Sequence, residues 1–235
     1  MADEWPEYPK ALLLIGLAVC ALSRAAPANA AGGPDVVDDA YAENPRICHV
    51  ESWLTEPLHG ASLAHLGIGC TFAAIPRLEI DAAAERQHGT VGGPWSFQPG
   101  LKYTLVARAA VFAVGLSGAA QIDRNGRADG FVINLPITFV RGRFTLIDLD
   151  LGCTLSRDHA GAFRGQASWG VQITQAFAPH LALIGEIFGV DTHRPGAQAG
   201  LRWSPGPEKV DIDLRVSHGA VTPGSALTLG VTLRV

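Results

Sequence analysis

The strongest constraint on the fold of this chain is a two-residue rhythm in its last two segments. In Val210-Asp211-Ile212-Asp213-Leu214-Arg215-Val216-Ser217 every second residue is aliphatic, and the residues between are Asp, Asp, Arg and Ser. After a turn at Thr222-Pro223-Gly224, Leu227, Leu229, Val231, Leu233 and Val235 share one face, opposite Thr228, Gly230, Thr232 and Arg234. Successive side chains of a strand point to opposite faces, so each segment carries one apolar wall and one charged wall. A core-packed antiparallel sheet produces this pattern, and so does an outer-membrane barrel with lipid outside and a polar lumen inside.

The strand rhythm extends upstream. Strands are expected over 47–55, 61–72, 77–87, 97–106, 108–120, 130–140, 143–155, 166–177, 180–190, 196–204, 209–218 and 225–235. Turn chemistry separates them at Pro57-Leu58-His59-Gly60, Gly92-Gly93-Pro94, Asn125-Gly126, Ala178-Pro179-His180 and Ser204-Pro205-Gly206-Pro207. Asn-Gly is the strongest of these signals, because both positions tolerate positive φ. Residues 81–87 have helical composition, but Leu78, Ile80 and Ala82 alternate with Glu79, Asp81 and Ala83, which extends the strand. The expectation is an all-β, up-and-down antiparallel barrel of about twelve strands, with ten as the alternative. Closure removes the exposed edges that such a sheet would otherwise present.

Turning the polar face of each strand inward places Glu51, Glu79, Asp81, Glu186, Asp211 and Asp213 on the inner wall with Lys102, Arg108, Arg202, Arg215 and Arg234. Acids and bases nearly balance, which predicts weak ion selectivity. A dry core could hardly hold these groups, since an unpaired buried charge costs several kcal/mol. The opposite faces, such as Ala197, Ala199, Leu201 and Trp203, suit hydrocarbon. This contrast favours a membrane barrel over a lipocalin-like soluble one. The aromatic share of 7% points the other way, because membrane barrels carry aromatic girdles. Strands 143–155 and 180–190 alternate less cleanly than the rest.

Residues 1–30 read as an export signal. Ala11 to Leu22 is an apolar run shorter than the roughly 20 residues of a spanning helix, followed by Ala28-Asn29-Ala30 as a small-x-small cleavage site. The preceding Asp3, Glu4 and Glu7 against Lys10 lack the basic character usual in such leaders. Cys20 follows Val19 rather than a small residue, which argues against a lipid anchor. The full chain carries net charge -4 and residues 1–30 carry +2 and -3, so the remainder is near -3. No clustered Lys and Arg surface suggests nucleic acid. Residues 31–46, acidic and punctuated by Gly and Pro, read as a flexible N-terminal arm, and 47–235 as the barrel domain. Three cysteines remain after the leader. Cys48 and Cys70 flank the first expected hairpin and are favoured as a pair, leaving Cys153 as a free thiol.

No catalytic motif emerges. Gly115-Leu116-Ser117-Gly118-Ala119 lacks the last glycine of a nucleophile elbow and falls within a strand. Eight histidines are many for this size, four of them between His49 and His88, but no spacing matches a zinc pattern. His59, His88, His180, His193 and His218 fall at or beside turns. Asp123 to Gly130 lacks the acid spacing and terminal Glu of a calcium loop and reads as a hairpin turn. Glu186 is the lone carboxylate of an apolar strand. A cross-strand pair with Arg202 is favoured over an acid–base role with His180 or His218. No metal or cofactor is expected.

An ordered series of segments is similar to a group of proteobacterial outer-membrane proteins related to the porin-like family named for the meta-pathway of phenol degradation. The series runs through Asp38-Asp39-Ala40, Cys48-His49-Val50-Glu51-Ser52-Trp53, Cys70 and Leu78-Glu79-Ile80. It continues through Trp169-Gly170-Val171, Gly185-Glu186-Ile187-Phe188-Gly189, Gln198 to Trp203 and Val210-Asp211-Ile212-Asp213. The resemblance implies an outer-membrane barrel with a transport or structural role and no catalytic residues, and it supports the Cys48–Cys70 pair. The chain departs from the pattern in ending on Val235, where outer-membrane barrels usually end on an aromatic residue. The functional expectation is a porin-like channel or structural barrel for small solutes in the outer membrane. Its expected partners are outer-membrane lipid and the barrel-assembly machinery. A soluble periplasmic barrel that binds an apolar ligand and an outer-membrane hydrolase are the alternatives.

Overall fold

The computed structural model describes residues 34–88, 95–108, 111–142, 144–157, 161–191, 194–206, 209–219 and 222–235. The leader expected over residues 1–30, the turn at Gly92-Gly93-Pro94 and His193 lie outside these residues.

Twelve antiparallel strands follow one another around a closed barrel, and β1 pairs with β12. They are β1 (Cys48–Pro57), β2 (Ser62–Thr71), β3 (Leu78–His88), β4 (Trp95–Arg108), β5 (Phe112–Asp123) and β6 (Ala128–Arg141), followed by β7 (Thr145–Arg157), β8 (Phe163–Ala178), β9 (Leu181–Val190), β10 (Gly196–Trp203), β11 (Val210–Gly219) and β12 (Thr222–Arg234). Turn chemistry sets the hairpins. At the β5–β6 turn the Asp123 carboxylate accepts from the N–H groups of Asn125 (2.8 Å) and Arg127 (2.9 Å), and Gly126 takes φ 76°.

The barrel is inverted relative to a soluble protein. Its outward residues are aliphatic and exposed, as at Leu214, Ile187 and Leu229, whereas the most buried side chains include Arg215, Gln172, Thr138 and Asp213. A monomeric soluble protein rarely exposes a contiguous apolar patch beyond a few hundred Å². The aromatic content, though small, is concentrated on the outside at the two strand ends. Phe72, Tyr103, Phe139, Phe144, Phe177 and Trp203 are exposed toward the end that carries the C-terminus, and Trp95, Phe97, Phe131 and Phe163 toward the other. These are two girdles flanking an aliphatic band, so the low aromatic share does not count against a membrane wall.

The disulfide joins Cys48 to Cys70, which stand directly opposite one another in the β1–β2 register. Beside it, the Cys48 N–H donates to Val235 O (3.0 Å), so the first hairpin and the barrel's closing seam are fixed at one point. Cys153 is free and exposed.

Two expectations are corrected. Arg108 does not face the lumen. The β4–β5 register shifts between Thr104 and Val106, which turns the end of β4 over, and Arg108 lies exposed above the Phe112 ring at 5.6 Å. The arm is not loose over its described residues. From Pro34 to Arg46 it runs inside the barrel, where Val37, Asp39, Ala40 and Glu43 are buried.

Candidate functional site

The alternation that makes the strands also builds the inner wall. The structure places Glu51, Glu79, Asp81, Lys102, Glu186, Arg202, Asp211, Asp213, Arg215 and Arg234 on that wall, around the arm. Sequence reasoning missed Asp148 and Asp150 of β7, Glu85 of β3, and His49 and His65 of β1 and β2.

The arm turns inward at Arg46, whose φ is 74° and whose N–H donates to Thr71 O (2.7 Å). Three groups of wall residues then hold it. Near the mouth, Arg234 Nε donates to Glu43 Oε1 (2.7 Å) while its Nη1 donates to Asp211 (2.7 Å), and Glu79 accepts from the Glu43 N–H (2.7 Å). At the centre, Lys102 Nζ donates to Asp38 (2.7 Å) and Asp39 (3.1 Å). Thr104 accepts from the Ala42 N–H, and Thr138 accepts from the Ala40 N–H (2.9 Å) while donating to Asp148 (2.6 Å).

Farthest along the arm from Arg46, Asp35 receives Arg202 at 2.7 Å and Arg215 at 2.6 Å. Glu186 accepts from the N–H groups of Val36 (2.9 Å) and Val37 (3.2 Å), and Gln198 donates to Pro34 O (2.9 Å). Burial alone would raise the Asp35 carboxyl, but Arg202 and Arg215 outweigh it and hold it below the ordinary range. The arm also gives the apolar inward residues a partner. Val37 lies against Gly170, which Phe188 also neighbours, and Ala40 against Gly115, which Pro136 also neighbours.

The favoured Glu186–Arg202 pair is therefore replaced. In the β9–β10 register Glu186 stands opposite Gln198, and Arg202 stands opposite Ala182. Arg202 instead meets Asp213 across β11 at 2.9 Å, while Glu186 lies 3.6 Å from Arg215. The histidines considered as its acid–base partners sit at opposite rims, His180 on Ser204 O and His218 on Ser225 Oγ.

The charge balance changes with this geometry. The arm adds Asp35, Asp38, Asp39 and Glu43 to the lumen, and the wall adds Glu85, Asp148 and Asp150, while Arg108 is lost to the outside. Lys102, Arg202, Arg215 and Arg234 face this larger set of acids, so the near balance expected from the strands alone becomes an acidic excess. A narrow lumen with fixed charges of one sign concentrates counter-ions of the other.

Beside the arm lies a cavity of about 210 Å³, with His49, Glu51, Glu79, Asp81, Lys102 and Asn134 among its lining residues. His65 lies between Glu51 (3.4 Å) and Glu85 (3.2 Å), with its ring stacked on Trp53 at 3.4 Å.

A family model described as "Uncharacterised conserved protein UCP029691" matches residues 18–235. No curated protein matches the chain. Among solved structures, the barrel is similar to the KdgM porin, with TM-score 0.63 and 9% identity over 79% of this chain and 98% of that one. It is similar to the NanC porin, with TM-score 0.58 and 8% identity over 80% and 100%. It also resembles the COG4313 outer membrane channel from Pseudomonas putida F1, with TM-score 0.60 and 11% identity over 84% and 98%. At these identities the likeness is one of fold.

Proposed function

The chain belongs to the family described as Uncharacterised conserved protein UCP029691, and from its porin-like barrel we propose that it is a small outer-membrane channel for solutes. The observation that carries this reading is a closed barrel with an aliphatic, aromatic-girdled outside around a charged lumen that keeps a cavity beside its arm. Three solved barrels of the same fold are named porins or channels. Export by a leader cleaved near Ala30 and insertion by the barrel-assembly machinery belong to the same reading.

Twelve strands enclose a narrower lumen than the 16–18 strands of open porins, and the arm narrows it further. Passage is therefore selective and limited to small solutes. The acidic excess favours cations.

Kinship with the porin-like family named for the meta-pathway of phenol degradation is part of the proposal. Several of the segments that suggest the resemblance hold the arm: Asp38-Asp39 on Lys102, Glu186 under Val36 and Val37, and Arg202 and Asp213 around Asp35. An enzymatic reading is not favoured, since Glu186 already accepts backbone N–H groups and its candidate histidines sit at the rims. The soluble apolar-binding barrel is not favoured either, since the apolar face lies outside.

Liposome swelling tests the channel. Liposomes carrying the folded protein are expected to admit small cations and neutral solutes faster than bare ones. Folded, membrane-inserted protein that leaves permeability unchanged would contradict the channel reading.

A further inference from the structure

We propose that the cavity beside the arm is a binding site for a small organic ammonium ion. This deepens the channel reading by naming a solute class. Two of its wall residues, His49 and Asp81, keep polar atoms presented and unspent. The buried His49 is 7% exposed and its Nδ1 has no hydrogen-bond partner, with Glu79 Oε1 the nearest acid at 4.0 Å. Asp81 makes no side-chain hydrogen bond or ion pair among the described residues. Lys102, the cation at the cavity's edge, is already engaged by Asp38 and Asp39. The local charge open to a ligand is therefore negative.

The register explains how His49 and Asp81 keep their polar atoms open. His49 pairs with Gly69, Glu51 with Gly67 and Asp81 with Gly100 on the neighbouring strands. A methyl group at Gly69 would strike the His49 ring, and one at Gly100 would strike the Asp81 carboxylate. At Gly67 it would sit 3.0 Å from Glu51 Oε1. Each polar side chain lies flat across a glycine, so the wall is thin where the cavity needs room.

The same arrangement speaks for an organic ligand over a bare metal ion. Among the described residues no three His, Cys, Asp or Glu side chains converge closely enough to hold a metal. Carboxylates dispersed around about 210 Å³ suit an ammonium group attached to a carbon body, and Ala83, Ala119 and Val132 supply apolar contact for that body.

Calorimetric titration of the folded, detergent-solubilised protein tests this without any flux, so its failure and the failure of the channel reading are distinguishable. The probes are 1,4-diaminobutane, its neutral analogue 1,4-butanediol and the dianion glutarate. The diamine is expected to bind at one site per barrel, weakening as salt rises, with the diol and glutarate at least tenfold weaker. Asp81→Asn is expected to weaken the diamine about tenfold or more, Glu51→Gln to weaken it less, and Arg108→Ala to change nothing. No diamine binding up to millimolar concentration, equal binding of the diol, or an unchanged affinity in folded Asp81→Asn would each overturn the proposal. The wild-type comparison of diamine with diol decides the matter even where a variant does not fold.

Discussion

Replacing Arg215 by alanine should release the arm around Asp35. Arg215 is fully buried, and its guanidinium lies 2.6 Å from Asp35 on the arm, 2.7 Å from Asp213 and 3.6 Å from Glu186. A hydrogen bond to a charged group contributes roughly 1.5–3 kcal/mol. Arg202 stays on Asp35 at 2.7 Å, and the N–H groups of Val36 and Val37 stay on Glu186, so only part of the grip is lost. About 2 kcal/mol against docking is a reasonable estimate, and at 1.4 kcal/mol per decade that is about a 30-fold rise in the released fraction. Hydrogen exchange of the folded protein in detergent, followed on peptides covering residues 34–46, reads this directly. Arm amides should exchange about 30-fold faster in Arg215→Ala, while amides of β6 and β7, far around the barrel, keep their rates. Arg215→Lys should fall between the two. Unchanged arm exchange in a folded Arg215→Ala barrel would refute the idea that this cluster docks the arm.

Other outcomes follow from the same geometry. Cys48→Ser should lower barrel stability by about 3 kcal/mol, the chain-entropy estimate for a separation of 22 residues, read as a shifted urea midpoint of folded gel migration. Leu229→Arg, on the lipid-facing side of β12, should cost ~2–4 kcal/mol of folding into liposomes. A soluble barrel would tolerate the change. Lys102→Met should remove a positive charge from beside Asp38 and Asp39, loosen the middle of the arm and raise cation preference, measured as a shifted reversal potential. Arg108→Ala should leave that potential unchanged, because Arg108 lies outside.

The strands were legible wherever the inward residues were polar. β11 and β12 alternate without interruption because Asp211, Asp213, Arg215, Thr228 and Thr232 all meet a polar interior. β9 alternated less cleanly because Ile184 and Phe188 flank Glu186 on the same inward face. Phe188 lies beside Gly170, where the arm sets Val37, so at Phe188 the irregularity recorded a partner distant in sequence. In β7 an apolar Leu146 stands two residues before Asp148 on the same face, which obscured Asp148 and Asp150. The arm's four acids were visible, but nothing local distinguishes an acidic tail in water from one drawn onto buried arginines. Arg108 was misplaced because a one-residue register shift is invisible to a rule of strict alternation. The disulfide was legible because its cysteines lie at matching ends of one hairpin.

The most direct test of the central claim is the reversal potential of the refolded protein in a planar bilayer under a KCl gradient, with and without residues 31–44. The account predicts small, cation-preferring conductance from the intact barrel and larger conductance once the arm is removed. The preference should weaken on removal, because Asp35, Asp38, Asp39 and Glu43 leave with the arm while Lys102, Arg202, Arg215 and Arg234 remain. Folded barrels that pass no current in either form, or that prefer anions with the arm in place, would contradict it.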